Sequence, residues 1–219
     1  MRVLFIGNSH TYFNDMPFLF QCFTQSEKAR KGGVSPAFST MIAHGGRHLS
    51  EHINEPEVRY NIRCGGYDFV VLQEAAHPFL GKETLLRDGG KLSEWIAEAD
   101  SKMVGYMTWA KKSEPWNFQE MIDSYTALCE ENNGSLAPVG AIWEKILKGE
   151  KGSDIELYYT DGAHASLAGS YLAACVLYAA MTRKSPLGLP ERFSRKGQTA
   201  FELPIETAEY LQKMASGIL

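Results

Sequence analysis

The feature that most constrains this chain is an alternation. Short apolar runs rich in β-branched residues, at 3–6, 38–43, 69–72, 103–107 and 136–139, are separated by longer stretches with helical periodicity. Strands joined through helices do not pair as hairpins. They lie parallel, and the connecting helices pack on the faces of the sheet. The expectation is therefore an α/β fold with a mainly parallel five-stranded sheet. Helices are read at 17–29, with Asp15 as N-cap, and at 92–99, 118–131, 142–148, 166–181 and 205–215. In the helix from Ser166, residues Leu167, Tyr171, Ala174, Cys175 and Tyr178 recur at three- and four-residue steps, which predicts one apolar stripe packed on the sheet. The polar segments 81–90 and 184–196 read as surface loops.

The chain has 219 residues, 44% of them hydrophobic, with no break in composition, so one domain spanning 1–219 with a substantial core is expected. The formal net charge is -4 and the basic residues are scattered, which excludes the basic stripe that nucleic acid requires of a partner. Cys22, Cys64, Cys129 and Cys175 are widely spaced without a Cys-x-x-Cys pair, and read as small hydrophobes rather than ligands or bridges. The apolar run at 3–6 is far too short for a secretory leader or a membrane span. A cytoplasmic location without a membrane partner is expected, or a secreted or periplasmic one if a leader has been removed.

The first strand runs into Gly7-Asn8-Ser9-His10-Thr11, which puts Ser9 at the carboxyl edge of a parallel sheet, where open α/β folds bind ligands. A serine hydroxyl becomes nucleophilic only when a base takes its proton, and the base needs an orienting acid. Near the C-terminus, Asp161 and His164 stand in an Asp-x-x-His spacing just before a helix. If that segment turns tightly, the carboxylate accepts a hydrogen bond from one imidazole nitrogen and leaves the other for Ser9.

Gly-Asn-Ser after the first strand, together with Asp-x-x-His and the helix 166–181 behind it, resembles the first and last motif blocks of the SGNH/GDSL hydrolases. That resemblance implies a flavodoxin-like three-layer α/β/α sandwich, no metal or other cofactor, and a Ser9-His164-Asp161 triad that hydrolyses an ester through an acyl-enzyme. It also implies an oxyanion hole formed by the N–H of Ser9, the N–H of a glycine after the second strand, and a side-chain donor after the third. Gly46, with Gly45 beside it, best matches that glycine. The third block departs from the family's Gly-x-Asn-Asp and reads Gln73-Glu74-Ala75-Ala76-His77-Pro78, so Gln73 is taken as the donor and His77 is the alternative. The family's Gly-Asp-Ser is Gly-Asn-Ser here. Glu74 is assigned no role. A Gly-x-Ser-x-Gly elbow is missing, because Thr11 takes the second glycine's place, and this argues against an ordinary α/β-hydrolase. Lacking a broad apolar lid, the chain is expected to take a small-molecule ester with a short acyl group such as acetyl, on an alcohol such as a carbohydrate.

Two other classes compete. His44, His48 and His52 recur at four-residue steps, a spacing that on a continuous helix would suit a metal-dependent hydrolase, but Gly45-Gly46 should break such a helix. Trp109, Trp116 and Trp143 are candidate stacking platforms of a non-catalytic carbohydrate-binding module, with the first two expected near a cleft and Trp143 in the core.

Overall fold

The computed structural model describes residues 1–149, 154–195 and 198–219. The five expected strands form one parallel sheet: β1 (Arg2–Gly7), β2 (Phe38–Ala43), β3 (Phe69–Leu72), β4 (Lys102–Met107) and β5 (Ser135–Pro138). Their spatial order is β2-β1-β3-β4-β5, the flavodoxin-like order. Val3, Leu4, Phe5 and Ile6 of β1 are fully buried, as a central parallel strand covered on both faces requires.

The helices follow from the crossovers. After β1 come α1 (Ser9–Tyr12), α2 (Met16–Gln25) and α3 (Glu27–Lys31), and after β2 come α4 (Leu49–His52) and α5 (Pro56–Cys64). Then α6 (Lys82–Glu98) joins β3 to β4, α7 (Asn117–Glu131) joins β4 to β5, and α8 (Val139–Lys148), α9 (Leu167–Thr182) and α10 (Ile205–Ser216) complete the chain. Helices α5, α6 and α7 pack side by side against one face, while α2 and α9 pack together against the other. Because β1 connects leftward to β2 whereas β2 crosses back to β3, the switch point lies at the carboxyl end of β1. Ser9 begins the helix that starts there.

Several local expectations are corrected. The helix expected over 17–29 is two helices, separated at Ser26, whose side chain caps α3 by accepting from the Ala29 N–H. Asp15 stands at the expected cap position of α2 but has left-handed backbone and makes no side-chain cap bond. Segment 81–90 is largely the first half of α6 rather than a loop. Gly89 belongs in that helix because Leu128 of α7 lies so close that a Cβ would meet its Cδ1 at 2.8 Å. The expected loop 184–196 runs into an antiparallel hairpin of β6 (Arg192–Arg195) and β7 (Gln198–Glu202), and Lys196 lies outside the described residues. Helix α9 shows no single stripe. Every residue from Ala168 to Met181 is buried, because the hairpin and α10 cover the side turned away from the sheet: Phe201 stacks on Tyr171 at 5.5 Å and Gln212 donates to the Tyr171 hydroxyl at 2.7 Å.

Cys129 and Cys175 are buried and Cys64 is exposed, all as free thiols. No helix among the described residues is long and apolar enough to cross a membrane.

Candidate active site

Asn8 organises the segment that carries Ser9. Its Oδ1 accepts from the His10 N–H at 3.1 Å, capping the helix that begins at Ser9, and its Nδ2 donates to the Arg47 carbonyl at 3.0 Å. The first contact aims Ser9 out of the sheet, and the second fixes the loop after β2 beside it.

His164 arrives on a tight hairpin-like loop. Ser166 N–H donates to Leu157 O at 2.8 Å, Tyr159 N–H to His164 O at 2.7 Å, and Gly162 turns the tip with a φ of 68°. At that tip Asp161 Oδ1 accepts the N–H groups of Ala163 and His164, each at 2.9 Å, while Oδ2 lies 2.5 Å from His164 Nδ1. Slight burial opposes the charge, but the hydrogen bonds from the His164 ring and the two backbone N–H groups outweigh it and hold the Asp161 carboxyl down at about 2. His164 Nε2 lies 2.8 Å from Ser9 Oγ. Thus the structure brings Ser9, His164 and Asp161 into one hydrogen-bonded chain, although 155 residues separate the first two.

Buried aromatic side chains support the loop from below. Trp109 and Trp143 stack face to face at 4.0 Å, fully buried, and Trp109 Nε1 donates to the Ala163 carbonyl at 2.8 Å. Trp109 is therefore a core strut rather than a platform at a cleft, and Trp143 is in the core as expected. Trp116 is 71% exposed.

Gly46 is the third residue of a turn closed by Arg47 N–H to His44 O at 3.3 Å, and its φ of 72° demands glycine there although a Cβ would meet nothing within 4 Å. Neither its N–H nor that of Ser9 has an acceptor among the described residues.

Gln73 is placed differently from the expectation. It is fully buried, its Oε1 accepts from the Asn8 N–H and the Thr11 hydroxyl, both at 2.8 Å, and its Nε2 donates to the Glu74 carbonyl at 2.5 Å. The Asn8 N–H can face only the amide oxygen, so the amide's orientation is fixed and its donor end is taken. Gln73 braces the segment that carries Ser9, and its donor end is not free for the role expected of it. At His77, both ring nitrogens are out of solvent contact and unpartnered among the described residues. Its ring packs 5.0 Å from that of His10. Burial holds His10 down at about 3, reinforced by His77 and His164, and burial holds His77 down at about 4, so both are neutral near pH 7.

Glu74, assigned no role from sequence, is only 1% exposed. Its Oε1 meets His48 Nδ1 at 2.7 Å and accepts the Ala75 N–H at 2.6 Å, while Oε2 accepts the Leu49 N–H at 3.1 Å. Burial raises its pKa against the pull of these partners. The carboxyl clamps the loop carrying Gly46 to the end of β3. Nothing in the local sequence separates such a group from a solvated surface acid.

No family model matches the sequence, and no curated protein matches it. Among solved structures, a protein from Slackia heliotrinireducens assigned to the SGNH hydrolases superposes with a TM-score of 0.69 at 29% identity, over 83% of this chain and 98% of that one. This likeness supports the SGNH/GDSL hydrolase superfamily. Two more distant structures share its fold. A DUF4886 family protein from Bacteroides uniformis has a TM-score of 0.71 at 16% identity, over 99% of this chain and 93% of that one. A GDSL-like lipase from Parabacteroides merdae has a TM-score of 0.62 at 18% identity, over 84% and 96%.

The three regularly spaced histidines do not converge. His48 turns to Glu74, while His52 Nε2 donates to Gly7 O at 2.8 Å and its Nδ1 faces Glu55 at 3.0 Å. The turn at Gly45-Gly46 interrupts the helix that would have aligned them, as expected. His44 lies instead with Glu55 and Glu57, and Arg47 already forms an ion pair with Glu55.

Proposed function

We propose that this chain is a serine esterase that cleaves a carboxylic ester through an acyl-enzyme, with Ser9 as nucleophile, His164 as base and Asp161 as orienting acid. The observation that carries this reading is the hydrogen-bonded run from Asp161 Oδ2 through His164 to Ser9 Oγ, at 2.5 and 2.8 Å. For Nε2 to accept the serine proton, the neutral imidazole must carry its own proton on Nδ1, and the Asp161 carboxylate selects that tautomer. Ser9 Oγ attacks the ester carbonyl while its proton passes to Nε2. The N–H groups of Ser9 and Gly46 receive the developing oxyanion. As the tetrahedral intermediate collapses, Nε2 returns the proton to the departing alkoxide, which leaves as an alcohol. Water then attacks the acyl group with His164 again as base, freeing the acid and the serine.

The acyl group in this proposal is short, acetyl-type, and the alcohol is a carbohydrate. The Tyr159 ring, on a residue 50% exposed, lies 5.5 Å from that of Phe13, which stacks on His164, and so offers an aromatic surface near the triad against which a sugar ring can pack.

The test is hydrolysis of a chromogenic acetate ester in the presence of a chelator, beside Ser9→Ala and His164→Ala. Activity should survive chelation, and each variant should lose about 10⁴-fold or more. Variants that match wild type would refute the mechanism. Long-chain esters turned over better than acetates would refute the acyl assignment, and acetylated sugars no better than simple alkyl acetates would refute the carbohydrate.

A further inference from the structure

Ser9 and His164 come from segments distant in sequence, and proton transfer between them tolerates little misplacement. One feature of the chain bridges these same two segments. Between α1 and α2, Phe13, Asn14 and Asp15 form a single tight turn in which Asn14 (φ 53°, ψ 31°) and Asp15 (φ 51°, ψ 39°) are both left-handed. Two consecutive non-glycine residues in that region are costly, although Asn and Asp tolerate it better than other residues. The conformation sends the Asn14 side chain across to the segment just beyond the base. Its Nδ2 faces Ala165 O at 3.1 Å, Ser166 O at 3.1 Å and Ser170 Oγ at 2.9 Å. The Ser170 hydroxyl in turn donates to the Phe13 carbonyl at 3.4 Å, closing the link in the reverse direction.

Phe13 acts on the base itself. Its ring lies parallel to the His164 imidazole, with centroids 4.3 Å apart and 14° between planes, and His10 covers the imidazole from another side at 5.1 Å. Tyr159 meets Phe13 edge-to-face, with centroids 5.5 Å apart. The Asp161 hydrogen bond fixes one end of the imidazole but leaves the plane free to tilt about that axis. A ring stacked on its face removes the tilt.

We infer that Asn14 and Phe13 are a positioning pair for His164: the Asn14 amide holds the nucleophile segment to the base segment, and the Phe13 ring sets the imidazole plane so that Nε2 faces Ser9 Oγ. This rests on the serine-esterase reading above. Neither side chain accepts or donates a proton in the reaction. Their effect falls on the turnover step and not on ground-state binding.

The experiment follows chromogenic acetate ester hydrolysis by wild type, Ser9→Ala, Asn14→Gly, Asn14→Asp and Phe13→Leu, with the thermal midpoint of each. Asn14→Gly keeps the left-handed backbone and deletes the amide. Asn14→Asp keeps the shape but sets an oxygen against two carbonyl oxygens. In both, and in Phe13→Leu, kcat should fall about 10- to 100-fold, with KM held within about twofold and the midpoint close to wild type. Wild-type kcat in the two Asn14 variants, with Ser9→Ala inactive, overturns the positioning role and leaves the esterase intact. Parallel changes in kcat, KM and midpoint also overturn it, since they mark a general role in folding. If the Asn14 variants do not fold, Phe13→Leu decides by the same kcat-only criterion. A wild type that matches Ser9→Ala brings down the esterase reading and the inference with it.

Discussion

Gly7 ends β1 one residue before Asn8, and replacing it with alanine tests how tight the network beneath Ser9 is. A methyl group there would overlap Gln73 Oε1 and come within 2.5 Å of Thr11 Oγ1. Gln73 and Thr11 are 0% and 1% exposed, so neither can swing into solvent. Forcing a side chain into a packed site costs about 1–3 kcal/mol. Displacing Oε1 also removes the acceptor of the buried Asn8 N–H, which adds about 1–3 kcal/mol for an unsatisfied donor, whereas the Thr11 hydroxyl can rotate toward another acceptor. The expected loss is about 2–6 kcal/mol, a large part of the roughly 5–15 kcal/mol that stabilises a domain of this size. Urea unfolding at constant m-value measures it, and ester hydrolysis by the folded fraction should fall because Asn8 caps the helix that presents Ser9. Gly90→Ala is the control. It lies within α6 with nothing within 4 Å of a built Cβ, and should stabilise by about 0.5–1 kcal/mol. A Gly7→Ala loss below about 1 kcal/mol with unchanged turnover would refute the reasoning.

Glu74→Ala leaves His48 and the Leu49 and Ala75 N–H groups without their shared acceptor, and should destabilise by about 3–5 kcal/mol in urea titration; a change near zero would mean that the loop after β2 holds its place without it. The Asp161 carboxyl, held down at about 2 against an ordinary value of 3.8, contributes its stability fully above the ordinary value and loses it only as pH falls through about 2. Carbon-13 titration of Asp161 should therefore show it ionised at pH 3, and a midpoint at or above 4 would contradict the hydrogen-bond geometry. His10 and His77, neutral by burial, should show no imidazole titration between pH 5 and 8, which proton NMR of the ring resonances can check.

Much of this protein was determined by short-range pattern. The five strands lie within a residue or so of the apolar runs that announced them, and for the central β1, β3 and β4 the reason is that a parallel strand buried on both faces must be apolar whatever surrounds it. Ser9 at a strand end and Asp161 three residues before His164 were legible for a similar reason. One is a position along the chain, and the other is a contact that a single turn can close. What the sequence did not decide was where groups go that bond across the fold. Gln73 has the amide of an oxyanion donor, but only the approach of Asn8 and Thr11 commits it to bracing. Glu74 looks like any surface acid until Leu49 and His48 close over it. Segment 81–90 reads as a loop because it is polar, and only the Leu128 side chain from another helix shows why Gly89 sits inside α6. The stripe on α9 was real as a pattern, yet the hairpin and α10 bury the opposite face too. Asn14 and Asp15 carry the mark of a turn, but that the turn reaches the far end of the chain at Ala165 and Ser170 is a fact of tertiary structure. Periodicity reports which side of an element is apolar, whereas a hydrogen-bond partner some 150 residues away leaves no local trace, because its identity depends on which elements the folded core brings together.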